Sequence, residues 1–504
     1  MRTKRAILTY LSDLIPQILL AIIGLVKAAY FVGNLGTAVN GLYSLYSQIM
    51  MYLTLVDGGL SSAILYRLYK PIAENDVNRI SSILSGSRRI FQIIGIVIFA
   101  GGVVVSFFIP VFIKDNPFEF IYLQTTFMLY LISSVISYFT IANKTIFEAY
   151  QRKYVTNTIT QIISITKGII ETILIMQGFG LYAIIGLLGV SNLTTSLIIY
   201  LLSKKDYPNI NFNCRKKSYE ILSDVKHLLV HKIGTLIAYN IDIVLVSKMI
   251  NIQTAAIYTA YTYIVDNITN IVGKLTASAI AGVGDLISSE KERCYDIFKE
   301  FNSLSFYLGT IICIPLFYVI NPFIQIWHKG RIETTSLIAL MFVLNLLYYI
   351  IRMPLITFVN SAGLFKETKI CPIIESVINL TLSIILVQII GLPGLLIGTF
   401  VAYICSDYCI RPVLIYKHIF EKKVKSYYIE NFVYIGIFIV LAFAMSFIVS
   451  YFPMNTYISW FLSSLFLFAV NAGLALIAYL LFKKAYFFAR VKKMLQLILK
   501  KKGA

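Results

Sequence analysis

Residues Gly41–Arg67 read GLYSLYSQIMMYLTLVDGGLSSAILYR. The stretch is long and apolar enough to cross a bilayer, which takes about 20 residues. It carries one acid, Asp57, deep within it and ends on an arginine. Its front half returns as Ala256–Ile264, AIYTAYTYI. Tyr43 and Tyr46 pair with Tyr258 and Tyr261, Ile49 with Ile264, and Gly58 with Gly273, all 215 residues apart. A membrane segment repeated with its polar features points to a chain built twice.

Composition agrees with a membrane protein. The chain has 504 residues, 58% hydrophobic and 13% charged. A soluble chain carries about 25% charged residues. The apolar runs are continuous rather than alternating, so the class is all-α integral membrane and not a barrel. Fourteen candidate spans are expected, at roughly 7–33, 40–67, 88–113, 118–142, 154–176, 180–202, 226–249, 253–279, 298–321, 334–360, 368–390, 393–415, 430–452 and 456–482. In chain order these are spans 1 to 14. The N-terminal MRTKR with its long apolar run imitates a signal peptide, but the run continues to about Val32 and is expected to be span 1.

The loops separate by charge. One set comprises the N-terminus, 67–89, 143–153, 203–232, 283–299, 361–369, 411–425 and the tail, and holds 36 of the 44 Lys and Arg. The opposite set holds Lys114, Lys329 and Arg331. Positive charge stays on the cytoplasmic side, so both termini are expected there. This asymmetry explains most of the net charge of +20 without a nucleic-acid partner.

The duplication extends further. Ala149 matches Ala362, Lys153 matches Lys366 and Gly178 matches Gly391, each at an offset of 213. Residues 1–202 and 226–415 are then two six-helix bundles, joined by a basic linker at 203–225. Six is even, so the copies share an orientation, related by a pseudo-twofold along the membrane normal. After a loop at 416–429, spans 13 and 14 (430–482) are an unpaired addition. The tail 483–504 mixes apolar and basic residues; it reads equally as an amphipathic helix in the headgroup layer or as a solvated segment.

Soluble-type catalytic motifs are absent: no Walker loop, nucleophile elbow or HExxH occurs. His227 and His231 stand one turn apart with no third ligand at a useful spacing, so no metal is expected. The six cysteines form no CxxC pair and are expected to be free thiols.

The informative residues are charges inside spans, because a charge at the bilayer centre costs about 2.5–3.5 kcal/mol on insertion scales and usually faces water or a partner. They are Lys27, Asp57, Lys167, Glu171, Asp242, Lys248, Asp266, Lys274, Arg352, Glu375 and Asp407. Lys167 and Glu171 are spaced i,i+4 and either pair with each other or face a cavity. Lys248 and Lys274 lie near span ends and can snorkel. Lys27 and Arg352 have no acid nearby in their own spans and are favoured as ligands for an anionic group. Asp57, Asp242 and Asp266 either hold such cations, gate the halves, or pair structurally. Tyr43, Tyr46, Tyr258 and Tyr261 form one face per helix; packing is the default role, and sugar contact is the functional one.

The segments GLYSLYSQI and LVDGGLSSAI in span 2, AAIYTAYTYI in span 8 and YNIDIVLVSKMI in span 7 resemble the polysaccharide transporter branch of the multidrug/oligosaccharidyl-lipid/polysaccharide exporter superfamily. Within it, the chain looks most like Wzx-type flippases for O-antigen, capsule or teichoic-type precursors. The resemblance implies a polyprenyl-pyrophosphate-linked oligosaccharide as partner, beside membrane lipids, in a monomeric bacterial inner-membrane flippase that is not an enzyme. It implies a cationic cavity for pyrophosphate, with Lys27, Lys167, Lys274 and Arg352 as candidates, and no cofactor. The membrane potential and coupling to Na⁺ or H⁺ through Asp57, Asp242, Asp266 or Glu171 are both open. The drug-exporter branch commonly has a carboxylate well inside its first helix, where this chain has Lys27; a multidrug exporter and a lipid II flippase rank below the Wzx-type reading. A membrane glycosyltransferase would need a large outer loop, and the longest here, around 321–333, is about a dozen residues.

Overall fold

A computed structural model describes residues 2–54, 60–214, 242–289 and 293–488. Every regular element among them is helical, and eleven helices are long and apolar enough to cross a membrane. These eleven account for twelve expected spans, because span 1 and the front half of span 2 follow each other in Arg2–Leu53 across a kink at Gly36, while the end of span 2 belongs to a separate helix, Leu60–Ala73. The loop expected at 34–39 shrinks to Gly36, whose φ of 88° favours glycine. Span 8 is the helix Ile252–Ser289, and span 7 is described only from Asp242 to Met249.

The chain forms two compact units, Met1–Ala256 and Ile257–Ala504. The described part of span 7 packs in the first unit. The Lys114 N–H donates to Ser247 O at 3.0 Å. Gly41 meets the Ile252 carbonyl so closely that a Cβ there would lie 2.0 Å from its oxygen.

Three turns repeat between the units in backbone as well as in position. After spans 3 and 9, Asp115 (φ 51°) and Lys329 (φ 52°) take the left-handed conformation. Gln151 (57°) and Gly363 (69°) do so after spans 4 and 10; Gly178 (85°) and Gly391 (65°) share a positive φ after spans 5 and 11, with Gly391 at ψ −141° outside the left-handed helical region. The first and second turns recur without sequence identity, so the duplication is stronger in conformation than in residue type. Spans 4 and 10 also both break before their ends, at Ile136–Phe139 and at Arg352. Pro354 explains the second break: it has no N–H to donate and starts a new helix, Met353–Ala362.

Spans 13 and 14 (Lys425–Val449 and Tyr457–Leu481) dock on span 9, Cys294–Trp327, in the second unit. The Tyr318 hydroxyl donates to Ala442 O at 2.8 Å, Trp460 Nε1 to Val319 O at 2.9 Å, and Asn471 Nδ2 to Thr310 O at 3.0 Å. In hydrocarbon, where apolar burial between helices contributes little, such hydrogen bonds and close packing hold helices together.

Candidate functional site

In the first unit, two lysines share one acid. Lys27 Nζ lies 3.1 Å from Glu171 Oε2, and Lys167 Nζ lies 3.3 Å from Oε1. Span 5, Lys153–Met176, supplies Lys167 and Glu171 one turn apart. Span 1 reaches them because Gly168 has no side chain: a Cβ there would sit 2.8 Å from Ile23 Cγ2. One turn beyond Ile23, Lys27 meets Glu171. The carboxylate is 1% exposed, whereas Lys27 and Lys167 keep 25% and 20% of their side-chain surface. Two cations on one anion leave the cluster with a formal charge of +1. Glu171 serves both lysines, and each lysine keeps part of its side-chain surface, an arrangement suited to a second anion.

In the second unit, Arg352 Nη1 lies 3.2 Å from Asp407 Oδ2, and Arg411 Nε holds the other carboxylate oxygen. The Arg352 guanidinium also stacks over Tyr403 (4.7 Å to the centroid) and Tyr349 (5.4 Å). Arg352 is 7% exposed and Asp407 0%. Ser406 Oγ reaches Glu375 Oε2 at 3.5 Å, bringing a second buried acid beside them. Asp407 sits on a π-helical turn of span 12, Ile404–Tyr408, a geometry frequent at functional sites. Two cations and two acids therefore neutralise one another here, and Arg352 is enclosed rather than presented. Lys27 and Arg352, expected to act on one anion, belong to different units.

Arg411 was not singled out by the sequence reading, because its position counts as a basic loop. The signal was present: Asp407 and Arg411 are spaced i,i+4.

The other candidates divide by burial. Tyr46 is fully enclosed in the first unit, packs on Phe127, and its hydroxyl donates to Leu123 O at 2.9 Å. Tyr261 is fully enclosed in the second, stacks on Phe342 at 5.0 Å, and donates to Asn321 Oδ1. Both hydroxyls are committed to packing. Tyr43 and Tyr258 are half-buried, beside Tyr130 and Phe342. Asp266 is exposed on span 8, and Asp242 is half-buried at the start of the described part of span 7. Asp57, His227, His231 and the side chain of Lys274 lie outside what the structure describes. Among the described residues no three His, Cys, Asp or Glu side chains gather as a metal site.

Residues 10–281 match the family described as polysaccharide biosynthesis protein. The chain belongs to that family. No curated protein matches it in sequence. Among solved structures, the fold is similar to a lipid II flippase MurJ in an inward closed conformation, with a TM-score of 0.66 at 16% identity over 97% of this chain and 100% of that one. It is also similar to an inward-facing multidrug resistance MATE family transporter of the MOP superfamily, with a TM-score of 0.60 at 17% identity over 78% of this chain and 94% of that one. An outward-facing MATE transporter gives 0.54 at 15% identity, over 81% and 94%. This member of the polysaccharide biosynthesis family is thus a multi-pass helical membrane protein with the fold those transporters share.

Proposed function

We propose that the protein is a flippase that moves a polyprenyl-pyrophosphate-linked oligosaccharide from the cytoplasmic to the outer leaflet of a bacterial inner membrane. The Lys27–Glu171–Lys167 cluster carries the reading: two ammonium groups inside membrane spans share one buried carboxylate, leaving positive charge for a pyrophosphate to neutralise. Family membership supports a polysaccharide precursor, and the likeness to a lipid II flippase supports a lipid-linked one. The headgroup binds the lysines while the polyprenyl tail stays in lipid. The protein then exposes the site to one leaflet and afterwards to the other, without making or breaking a covalent bond. Glu171 holds both lysines in place between turnovers. The membrane potential favours outward movement of each negative charge by about 2.3 kcal/mol per 100 mV.

The likeness to MATE transporters favours a second reading, export of small molecules coupled to a cation. The cluster's net positive charge argues against organic cations as cargo. Depletion in the native host, followed by leaflet analysis of the lipid-linked precursor, separates the readings. Accumulation on the cytoplasmic leaflet, restored by wild type and not by Lys27→Ala at equal protein level, supports the flippase. A normal precursor distribution with altered sensitivity to cationic drugs overturns it.

A further inference from the structure

The end of the second unit where spans 9 and 13 begin collects lysines around two tyrosines. Lys422 Nζ stands 3.8 Å from the Tyr295 ring centroid, and Lys299 Nζ stands 5.6 Å from the same ring. Lys299 Nζ is also 4.5 Å from the Tyr486 ring, and Lys484 Nζ is 5.7 Å from it. Two tyrosines thus bridge three ammonium groups; among the described residues Lys299 pairs with Glu430 at 3.1 Å, and Lys422 and Lys484 pair with no acid. Over residues 293–300, 421–430 and 483–488, seven basic side chains face four acidic ones.

These lysines are positioned by the fold. The Lys484 carbonyl accepts hydrogen bonds from Ser303 of span 9 and Tyr434 of span 13, which pins the chain leaving span 14. The first turns of spans 9 and 13 touch through Tyr295 and Ser426, whose hydroxyls lie 3.3 Å apart. Neither turn has a side-chain cap from its preceding residue. The first turn of span 9 carries Asp296, whereas that of span 13 carries no acid, so the N-terminus of span 13 adds its partial positive charge to that of the lysines.

We infer that this cluster is a binding site for the phosphodiester headgroup of an anionic phospholipid, with Lys422 and Lys484 as its principal contacts. The position selects the source. The cluster lies where three membrane spans reach their basic-loop ends, and such ends meet the phospholipid phosphates. The site is separate from the lysines assigned to cargo, and it belongs to the second unit alone.

The test uses the full-length protein in neutral detergent with phosphatidylglycerol or phosphatidylcholine added, read by native mass spectrometry and by thermal unfolding. Wild type is expected to retain phosphatidylglycerol in preference to phosphatidylcholine and to melt higher with it. Each lysine at a membrane surface contributes about fivefold to anionic-lipid affinity, so Lys422→Gln with Lys484→Gln lowers it roughly 25-fold. Lys70→Gln with Lys205→Gln, on exposed lysines of the first unit, leaves it unchanged and controls for general surface charge. The Lys484 substitution keeps the carbonyl that pins the chain, and an unchanged melting point without lipid confirms the fold. Equal retention of the two lipids, or undiminished retention in the double variant, overturns the assignment. Inorganic phosphate that reproduces the whole thermal shift and displaces the lipid overturns its lipid source.

Discussion

Lys27 and Glu171 meet at 3.1 Å across 144 residues of chain, and the same carboxylate also holds Lys167. Removing the acid therefore strands two cations, whereas removing either lysine leaves one intact pair. Breaking a fully buried pair costs about 3–5 kcal/mol. Both lysines are partly exposed, so Glu171→Gln is expected to cost roughly 1–3 kcal/mol, and Lys27→Ala less than about 1. Thermal unfolding in detergent gives the order. A Lys27 variant less stable than the Glu171 variant would show that the cluster is not built around the acid.

Asp407 plays the corresponding part in the second unit, with less access to water. Asp407→Asn leaves Arg352 and Arg411 facing each other in a dry interior, at about 3–5 kcal/mol. Arg411→Gln retains the Arg352–Asp407 pair and is expected to be milder. Folded yield after size-exclusion chromatography distinguishes them, and equal yields would contradict the shared-carboxylate geometry.

Gly41 and Gly186 offer a contrast in close approach. A Cβ at Gly41 would overlap the Ile252 carbonyl oxygen, whereas one at Gly186 meets nothing within 4 Å. Gly41→Ala is expected to destabilise by more than about 2 kcal/mol through displaced backbone. Gly186→Ala is expected to stabilise its helix by about 0.5–1 kcal/mol. Melting points that move together in the two variants would contradict the packing of span 2 against the start of span 8.

His328, in the turn after span 9, is buried with neither ring nitrogen hydrogen-bonded, and burial lowers its pKa from 6.5 to about 4. The folded protein therefore resists a proton that the unfolded chain accepts. This group's effect is absent above the unfolded value. Stability falls as the pH drops from about 6.5 towards 4, by up to about 3 kcal/mol. Melting curves across that window should show the loss in wild type and a flatter profile in His328→Leu; parallel profiles would mean that another group titrates.

Much of the fold was legible because hydrocarbon leaves few options: a backbone crossing it must satisfy its own hydrogen bonds, and a run such as Lys425–Val449 can only be a helix. The Gly178 and Gly391 turns were legible because glycine marks a positive φ. Asp115 and Lys329 repeat the same geometry without that mark, so their equivalence became visible only in the structure. Arg411 was hidden for a related reason: its residue type suits a basic loop, although its i,i+4 spacing from Asp407 fits the ion pair that the fold forms.

By itself the sequence determined the membrane class and the repeated architecture, and it offered Lys167 with Glu171 as a local ion pair. These depend on hydropathy, a fixed offset and helical periodicity, all of which operate along the chain. The tertiary structure alone decided that Lys27 joins that pair, that Arg352 meets Asp407, and that Tyr46 and Tyr261 are enclosed. Each of those outcomes depends on which helix lies across the interface. That is set by side-chain shape and by close approaches such as Gly168 on Ile23, which act between segments far apart in the chain.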